Sequence, residues 1–175
     1  MAGQLPLLPA IKQLMDEVTS GPVHAEEREG PLAAEHHLLA SAKKLSLFAA
    51  GVASQKYMQA LAEEQEIIGV LSNLVMEVFG MESALLRARR NARRVSNGAE
   101  SAEAAATRCF IYEAADRMET EARLALARVS EGDTLRVQLG VLRRFLRRTP
   151  PDLIGLRRQV ANRALDLGRY PFLSI

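Results

Sequence analysis

The chain has 175 residues, of which 48% are apolar and 25% are charged. This balance is typical of a folded protein and argues against a disordered one, and the length suits a single domain with a sizeable core. Alanine, leucine, arginine and glutamate dominate, while only 5% of the residues are aromatic, a composition that favours helices.

Two features of the composition bear on the compartment. The sequence has no run of about 18 uninterrupted apolar residues and no basic start followed by an apolar stretch. Its single cysteine, Cys109, excludes an internal disulfide and fits a reducing environment. We therefore expect a cytoplasmic protein without a signal peptide or a transmembrane span.

The first predicted helix covers Leu5–Val18, where apolar residues recur on one face. Thr19-Ser20-Gly21-Pro22 stops it, and residues 23–29 form a polar, acidic linker. Gly30-Pro31 then opens a long second helix, with proline at its first position. A cluster of small residues in the middle of this helix would let another helix approach closely: Ala49, Ala50, Gly51, Ala53 and Ser54. We predict a turn near Met58–Glu63.

A third helix is predicted over Gln65–Arg94, and we expect the other helices to be organised around it. Its apolar residues recur at intervals of four and three, the spacing of a helix packed along another: Ile67, Leu71, Leu74, Val78, Met81 and Leu85. Ile68, Val75, Phe79 and Leu86 widen this stripe, so more than one partner helix is needed to cover it. Asn97-Gly98 suits the left-handed residue that ends a helix.

Three further helices follow. The fourth is predicted over Glu100–Val129, and Asp133 is a suitable N-cap for the fifth, Thr134–Arg148. Asp152 caps the sixth, which ends at Gly168. The residues of the sixth helix predicted to face inward are Leu153, Leu156, Val160, Ala164 and Leu167.

Short connections between these helices place neighbours antiparallel. The sequence therefore predicts an all-α, up-and-down antiparallel bundle of about six helices, three of them long, forming one domain overall. Within it we distinguish a short helix and acidic linker (1–30), the three-helix core hairpins (31–131) and a basic C-terminal helical hairpin (132–175).

Charge is unevenly distributed along the chain. Residues 1–86 carry 5 basic and 11 acidic side chains, whereas residues 132–175 carry 9 basic and 3 acidic ones. Mutual attraction of neighbouring helices or docking on another domain explains this pattern, and a surface for phosphates or lipid headgroups is the alternative. The candidate partner or membrane surface is a set of arginines: Arg136, Arg143, Arg144, Arg147 and Arg148.

The sequence offers little catalytic chemistry. His36 and His37 are adjacent, so they point about 100° apart on a helix and suit a metal poorly. Cys109 has no nearby histidine to activate it, and we predict a buried, inert thiol. Glu77 and Glu82 lie five residues apart, on different faces, and we predict that both are solvated. Phosphate-binding loops and nucleic-acid-binding motifs are missing. We therefore predict no catalytic, cofactor or metal site and no nucleic-acid partner.

Four stretches in order resemble one family. They are AKKLSLFAAGVASQKY (42–57), EEQEIIGVLSNLVMEVFGMESALLRARR (63–90), YEAADRMETEA (112–122) and IGLRRQVANRALDLGRYPF (154–172). Together they are similar to the C-terminal helical domain of acyl-CoA dehydrogenases of the very-long-chain type. Relatives of this type often have glycine near the end of the second helix, where this chain has Met58.

The resemblance implies a role beside an enzyme. Members of the family oxidise a fatty acyl-CoA to the trans-2-enoyl-CoA in fatty acid β-oxidation, with FAD taking the hydride and a glutamate removing the α-proton. The FAD site and that glutamate belong to preceding domains, against which the extra bundle packs. We expect this chain to be a non-catalytic domain of such an enzyme, excised or separately encoded, serving domain docking and oligomer assembly.

Three alternatives stay open. One is a peripheral membrane module that uses the basic fifth helix, although Glu26, Glu27 and Glu29 in the preceding linker would be repelled by anionic headgroups. The second is a scaffold that self-associates through the small residues of the second helix, and the third is an enzyme in its own right.

Overall fold

The computed structural model describes residues 30–92 and 98–172, together with Pro9 and Gln13. Five α-helices lie within residues 30–92 and 98–172: α1 (Ala33–Tyr57), α2 (Gln65–Ala92), α3 (Ala102–Val129), α4 (Gly132–Phe145) and α5 (Leu153–Leu167). Short 3-10 helices at Met58–Glu63 and Gly98–Glu100 join α1 to α2 and lead into α3. The described residues contain no strand, so the predicted all-α class is confirmed.

The predicted first helix, Leu5–Val18, and the acidic linker lie outside the described residues except for Pro9 and Gln13. Both of those residues are helical and exposed. The end of the predicted third helix, residues 93 and 94, also lies outside the described part.

Ion pairs show that α2 and α3 run antiparallel. Arg128 pairs with Glu64 at 3.4 Å, Arg117 with Glu77 at 2.6 Å and Arg87 with Glu103 at 3.2 Å. Residue numbers therefore rise along one helix as they fall along the other, which is the predicted up-and-down arrangement.

The centre of the bundle is α3, not α2 as predicted. Thirteen residues of α3 are buried, compared with five of α2. Many of them are alanines, whose small side chains let α1, α2, α4 and α5 all approach α3 closely. The leucine and methionine spacing of α2 predicted a long buried face, but alanines with little side-chain area mark the more central helix here.

Helix ends agree in part with the predictions. The turn near Met58–Glu63 is confirmed as a 3-10 helix, and the Asp152 carboxylate accepts the Gly155 N–H at 2.9 Å as an N-cap. Asp133 is not the cap of α4: Glu131 occupies that position in extended conformation, and Asp133 lies in the first turn. Pro31 precedes α1 instead of opening it, because Leu32 takes a left-handed conformation with φ 62°.

Gly98 packs closely against the end of α2, where an added Cβ would clash with the Ala92 Cα atom. Asn97 lies outside the described residues.

The basic hairpin covers the outside of this bundle. In α4, Leu142 and Leu146 are buried and Leu135 and Leu139 are half-buried, as the leucine spacing predicts. The five predicted inward residues of α5 are half-buried, and no residue of α5 is fully buried. α5 therefore lies against α3 from outside and completes no new core.

Candidate functional site

The residues considered for chemistry serve the fold instead. Glu77 receives two hydrogen bonds from Arg117, at 2.6 and 2.8 Å, and Glu82 accepts one from Lys43 at 2.5 Å. These two carboxylates face different helices as predicted, and each makes an ion pair between helices. The prediction that both are solvated is wrong for Glu77, whose side chain is 21% exposed, whereas that of Glu82 is 43% exposed. No metal-binding group of histidine, cysteine and carboxylate side chains occurs among the described residues.

Cys109 is buried, as predicted, and its Sγ lies 4.0 Å from the Leu153 carbonyl oxygen. Burial, reinforced by the nearby Glu113 carboxylate, raises the pKa of the Cys109 thiol. The protonated form is thus favoured, which fits an unreactive side chain.

The structure separates the five candidate arginines by their contacts. Arg148 is the most buried: its side chain is 15% exposed, and it pairs with Asp116 and with Glu119 of α3. Arg136 pairs with Asp133 within α4 at 2.9 Å. Arg143 and Arg147 are exposed, and neither makes an ion pair with another described residue. Arg148 therefore holds α3 to the end of α4, and Arg143 and Arg147 face outward.

Arg144, Arg147 and Arg148 line a groove of about 980 Å³, which we call the basic groove. Sequence reasoning missed its other wall, in which α1 contributes His36, His37, Lys43 and Lys44. These residues lie about 100 positions from the arginines, so only the packing of α1 beside α4 brings them together. Arg136 and Arg143 are not part of this groove.

A second surface lies on α2. The stripe predicted to meet a partner helix at Ile67, Leu71, Leu74, Val78, Met81 and Leu85 is buried or half-buried, and we call it the inner seam. Each of these residues is followed by one member of a parallel row, the outer seam: Ile68, Ser72, Val75, Phe79, Glu82 and Leu86.

Most of the outer seam is exposed. Val75 is 61% exposed, Phe79 73% and Leu86 62%, whereas Ile68 is half-buried. The predicted covering of this widened stripe by a second partner helix is therefore not met by any described helix at Val75, Phe79 and Leu86. Apolar side chains exposed in a row along a helix mark a contact surface.

By length and composition, α2 is also the one helix in the described part of the chain that could cross a membrane. It passes this test although it has no long uninterrupted apolar run, because glycine, serine and asparagine interrupt the run without adding charge. Its inner seam is packed in the bundle, and both of its mid-helix carboxylates are in ion pairs. These contacts are typical of a helix that is packed in a bundle on its inner seam and exposed to solvent along its outer seam.

The small residues of α1 provide no comparable surface. Ala49, Gly51 and Ala53 are buried within the bundle, and Ala50 and Ser54 are half-buried. The face considered for self-association is thus used largely by the chain's own helices.

Comparisons with known proteins agree with this architecture. The family model described as acyl-CoA dehydrogenase, C-terminal domain, matches residues 41–144. A probable acyl-CoA dehydrogenase of Bacillus subtilis (strain 168) is 36% identical, over 97% of this chain and 28% of the relative. The crystal structure of an acyl-CoA dehydrogenase complexed with FAD from Bacillus anthracis matches with a TM-score of 0.86 and 35% identity, over 96% of this chain and 28% of that one.

The chain therefore spans little more than a quarter of the length of these relatives. The matched family segment runs from α1 through α2 and α3 into α4, and so includes the whole outer seam and part of the basic groove. The resemblance of its sequence motifs, the helical bundle and the family match agree, and the chain belongs to the acyl-CoA dehydrogenase C-terminal domain family.

Proposed function

We propose that this chain is a non-catalytic docking and assembly domain of an FAD-dependent acyl-CoA dehydrogenase of fatty acid β-oxidation. The observation that carries the proposal is the coverage: nearly all of this chain matches a little over a quarter of a relative whose structure holds FAD. A chain that corresponds to one part of an enzyme is expected to contact the other parts. We place the protein in the cytoplasm in the same proposal, in keeping with its bacterial relatives.

The outer seam supports an assembly role. Isolated exposed apolar residues are common on proteins, but a row along one helix is costly to leave in water. The inner seam already secures α2 within the bundle, so the fold leaves the outer seam available for a contact beyond it.

The described residues do not fit FAD. A flavin needs an enclosed slot with polar groups directed at its ring system, and cations or backbone amides for its pyrophosphate. Apart from its cations and its two histidines, the basic groove has few polar side chains: Ser41, Glu82, Tyr112 and Thr149. The two buried side-chain atoms that make no hydrogen bond within the described protein, the Tyr57 hydroxyl and Gln138 Oε1, do not line it. No step of the oxidation is therefore assigned to these side chains.

The test uses the purified chain and the Bacillus subtilis relative truncated before the quarter that this chain matches. We expect the chain alone to be helical by circular dichroism, colourless, and inactive with acyl-CoA substrates. We expect it to bind the truncated flavoprotein in a pull-down and to raise the midpoint of its thermal unfolding. Stoichiometric flavin in the purified chain, or no binding to the truncated flavoprotein, would contradict the proposal.

The peripheral membrane module is the alternative that the exposed Arg143 and Arg147 support. The other three arginines support it less, since Arg136 and Arg148 are ion-paired within the chain and Arg144 lines the groove wall. Co-sedimentation with anionic vesicles at low and high salt tests it, because headgroup attraction weakens with ionic strength. On the docking proposal, the chain stays in the supernatant at both salt concentrations.

A further inference from the structure

We propose that the outer seam of α2 pairs with the same seam of a second copy of this chain, in antiparallel orientation about a twofold axis near Glu77. This inference rests on the assembly role proposed above and specifies its surface and geometry. It is carried by the order of residues along the seam, by the charges at its two ends and by the residues that border it.

The residues of the outer seam are spaced symmetrically along α2. Its members follow one another at intervals of 4, 3, 4, 3 and 4, a sequence that reads the same in both directions. A twofold interface requires such a self-complementary surface, because each residue must meet its counterpart on the same patch of the other copy.

The pairs formed in this register match in chemistry. Ile68 and Leu86 each lie nine residues from Glu77, and Val75 and Phe79 each lie two residues from it. An antiparallel copy thus places aliphatic side chains opposite one another at the ends of the seam, and aliphatic against aromatic side chains at its centre. Packing of this kind between two helices with apolar residues at this spacing is the knobs-into-holes arrangement.

The third pair is polar and also complementary. Ser72 and Glu82 each lie five residues from Glu77. The Ser72 hydroxyl is a donor for the Glu82 carboxylate of the other copy. That carboxylate already accepts from Lys43 at 2.5 Å and remains 43% exposed, so it retains room for another donor.

Charge fixes the orientation. The start of α2 is acidic, with Glu63 and Glu66 exposed, whereas its end is basic, with Arg90 exposed and Arg89 half-buried. A parallel pair would place like charges together. An antiparallel pair places the acidic start of one helix beside the basic end of the other and also aligns the two helix dipoles favourably.

The size of the contact sets the expected affinity. The seam spans nineteen residues from Ile68 to Leu86, about 27 Å of helix. Lys43 of α1 contacts Glu82 within the seam, so the flank of α1 borders the interface and adds to it. Standard interfaces bury about 800 Å² on each partner, and a contact centred on one helix pair lies at the small end of that range. We therefore expect a reversible dimer with a micromolar dissociation constant.

The test is sedimentation velocity of the full chain over a dilution series, with two matched variants. Phe79→Glu places a charge in the centre of the seam. Val137→Glu makes a similar change at a residue of similar exposure (68% compared with 73%) on α4, away from the helix that carries the seam. We expect a dimer for the native chain and for V137E, and a dissociation constant raised at least about thirtyfold for F79E. Circular dichroism verifies that both variants fold.

Cysteine cross-linking tests the orientation, in a Cys109→Ala background. Ser72 and Ser83 are exposed, and in the antiparallel register Ser72 of one copy lies near Ser83 of the other. A mixture of S72C and S83C is expected to form a heterodisulfide on oxidation, whereas S72C alone forms little homodimer. A homodimer of S72C as abundant as the mixed product would indicate a parallel pair and overturn the proposal.

Two further results would overturn it: a chain that is monomeric up to several hundred micromolar, or equal weakening by F79E and V137E. These outcomes differ from failure of the proposed function. A monomer that still binds the truncated flavoprotein refutes only the pairing of α2. A dimer with the expected cross-links that does not bind the flavoprotein refutes the docking role and leaves the pairing intact.

Discussion

Met58 ends α1 with φ 51° and ψ −121°, a conformation that glycine adopts at much lower cost than a residue with a side chain. Its side chain is 77% exposed and makes little contact that a substitution would remove. The resemblance to acyl-CoA dehydrogenases implied that relatives often have glycine near this position. The backbone conformation at Met58 explains why glycine suits it. We expect Met58→Gly to raise the free energy of unfolding by about 1 kcal/mol, as measured by urea denaturation.

Leu32 is the control for this prediction. It also has a positive φ, 62°, although in the left-handed helical region, and it is only 3% exposed. Leu32→Gly should therefore destabilise the protein by about 2 kcal/mol or more, since the loss of buried side chain outweighs the relief of backbone strain. Stabilisation by both substitutions, or by neither, would mean that the backbone does not decide the outcome.

Cys109 predicts a dependence on pH. Burial raises the pKa of its thiol above the model-compound value of 9.0. A raised pKa in the folded state means that stability is fully present below the unfolded pKa and is lost as the pH rises through the folded one. We expect the native chain to lose more stability than Cys109→Ala between pH 8 and pH 10, by urea denaturation. Parallel loss in the two proteins would show that the thiol titrates normally, because Tyr112 is present in both.

Ionic partners were beyond sequence reasoning at the scale of single residues. The spacing of Glu77 and Glu82 correctly placed them on different faces, but the arginine that bonds Glu77 lies 40 residues away. Likewise, nothing local distinguishes Arg148, which bonds α3, from the exposed Arg143. Such differences arise from which helices become neighbours, so they require the fold.

At the scale of elements, apolar spacing predicted most helices within a few residues, because each helix buries one regular face. It predicted the inner seam of α2 and the stripe of α5 correctly. It could not show that the adjacent outer seam stays bare, since spacing indicates that a face is apolar and not what covers it. That uncovered seam is the best candidate site on the element, and its sequence signal was the excess width of the stripe.

Gly98 connects the end of α2 to the start of α3, and its missing side chain matters for packing. A Cβ at this position would clash with the Ala92 Cα atom and lie 2.8 Å from its carbonyl oxygen. Because both contacts are with backbone, the two helix ends would have to move apart. We expect Gly98→Ala to lower the free energy of unfolding by about 1–3 kcal/mol, measured by urea denaturation.

Gly69, which lies within α2, is predicted to respond to the same substitution with a gain in stability. It is exposed and has nothing within 4 Å of an added Cβ. Gly69→Ala is therefore expected to stabilise the protein by about 0.5–1 kcal/mol through helix propensity. If Gly98→Ala were equally stabilising, the close approach of α2 and α3 at this point would be wrong.

The whole molecule depends on α3 as the shared neighbour of the other four helices. Sequence reasoning predicted the bundle and its antiparallel order, since short connections allow little else. It assigned the centre to the helix with the larger side chains, although alanine-rich α3 lets more helices approach. The basic groove could not be foreseen either, because α1 and α4 become neighbours only through their common packing on this bundle.

Phe145 tests whether the basic hairpin and the core hairpins unfold together, as expected of one domain. It is 3% exposed in α4 and meets Phe48 of α1 edge to face, with ring centroids 6.0 Å apart. Removing the ring leaves a cavity between α4 of the basic hairpin and α1 of the core hairpins. Phe145→Ala should therefore lower the free energy of unfolding by about 3–5 kcal/mol. The loss should appear in one cooperative transition, followed by circular dichroism and by hydrogen exchange of α1 amides. Val137→Ala, at a position 68% exposed on the same helix, should change stability by less than about 1 kcal/mol. A biphasic transition, in which α1 amides keep their native protection while α4 unfolds, would divide the chain into two independent units, because a shared core cannot lose one side and keep the other intact.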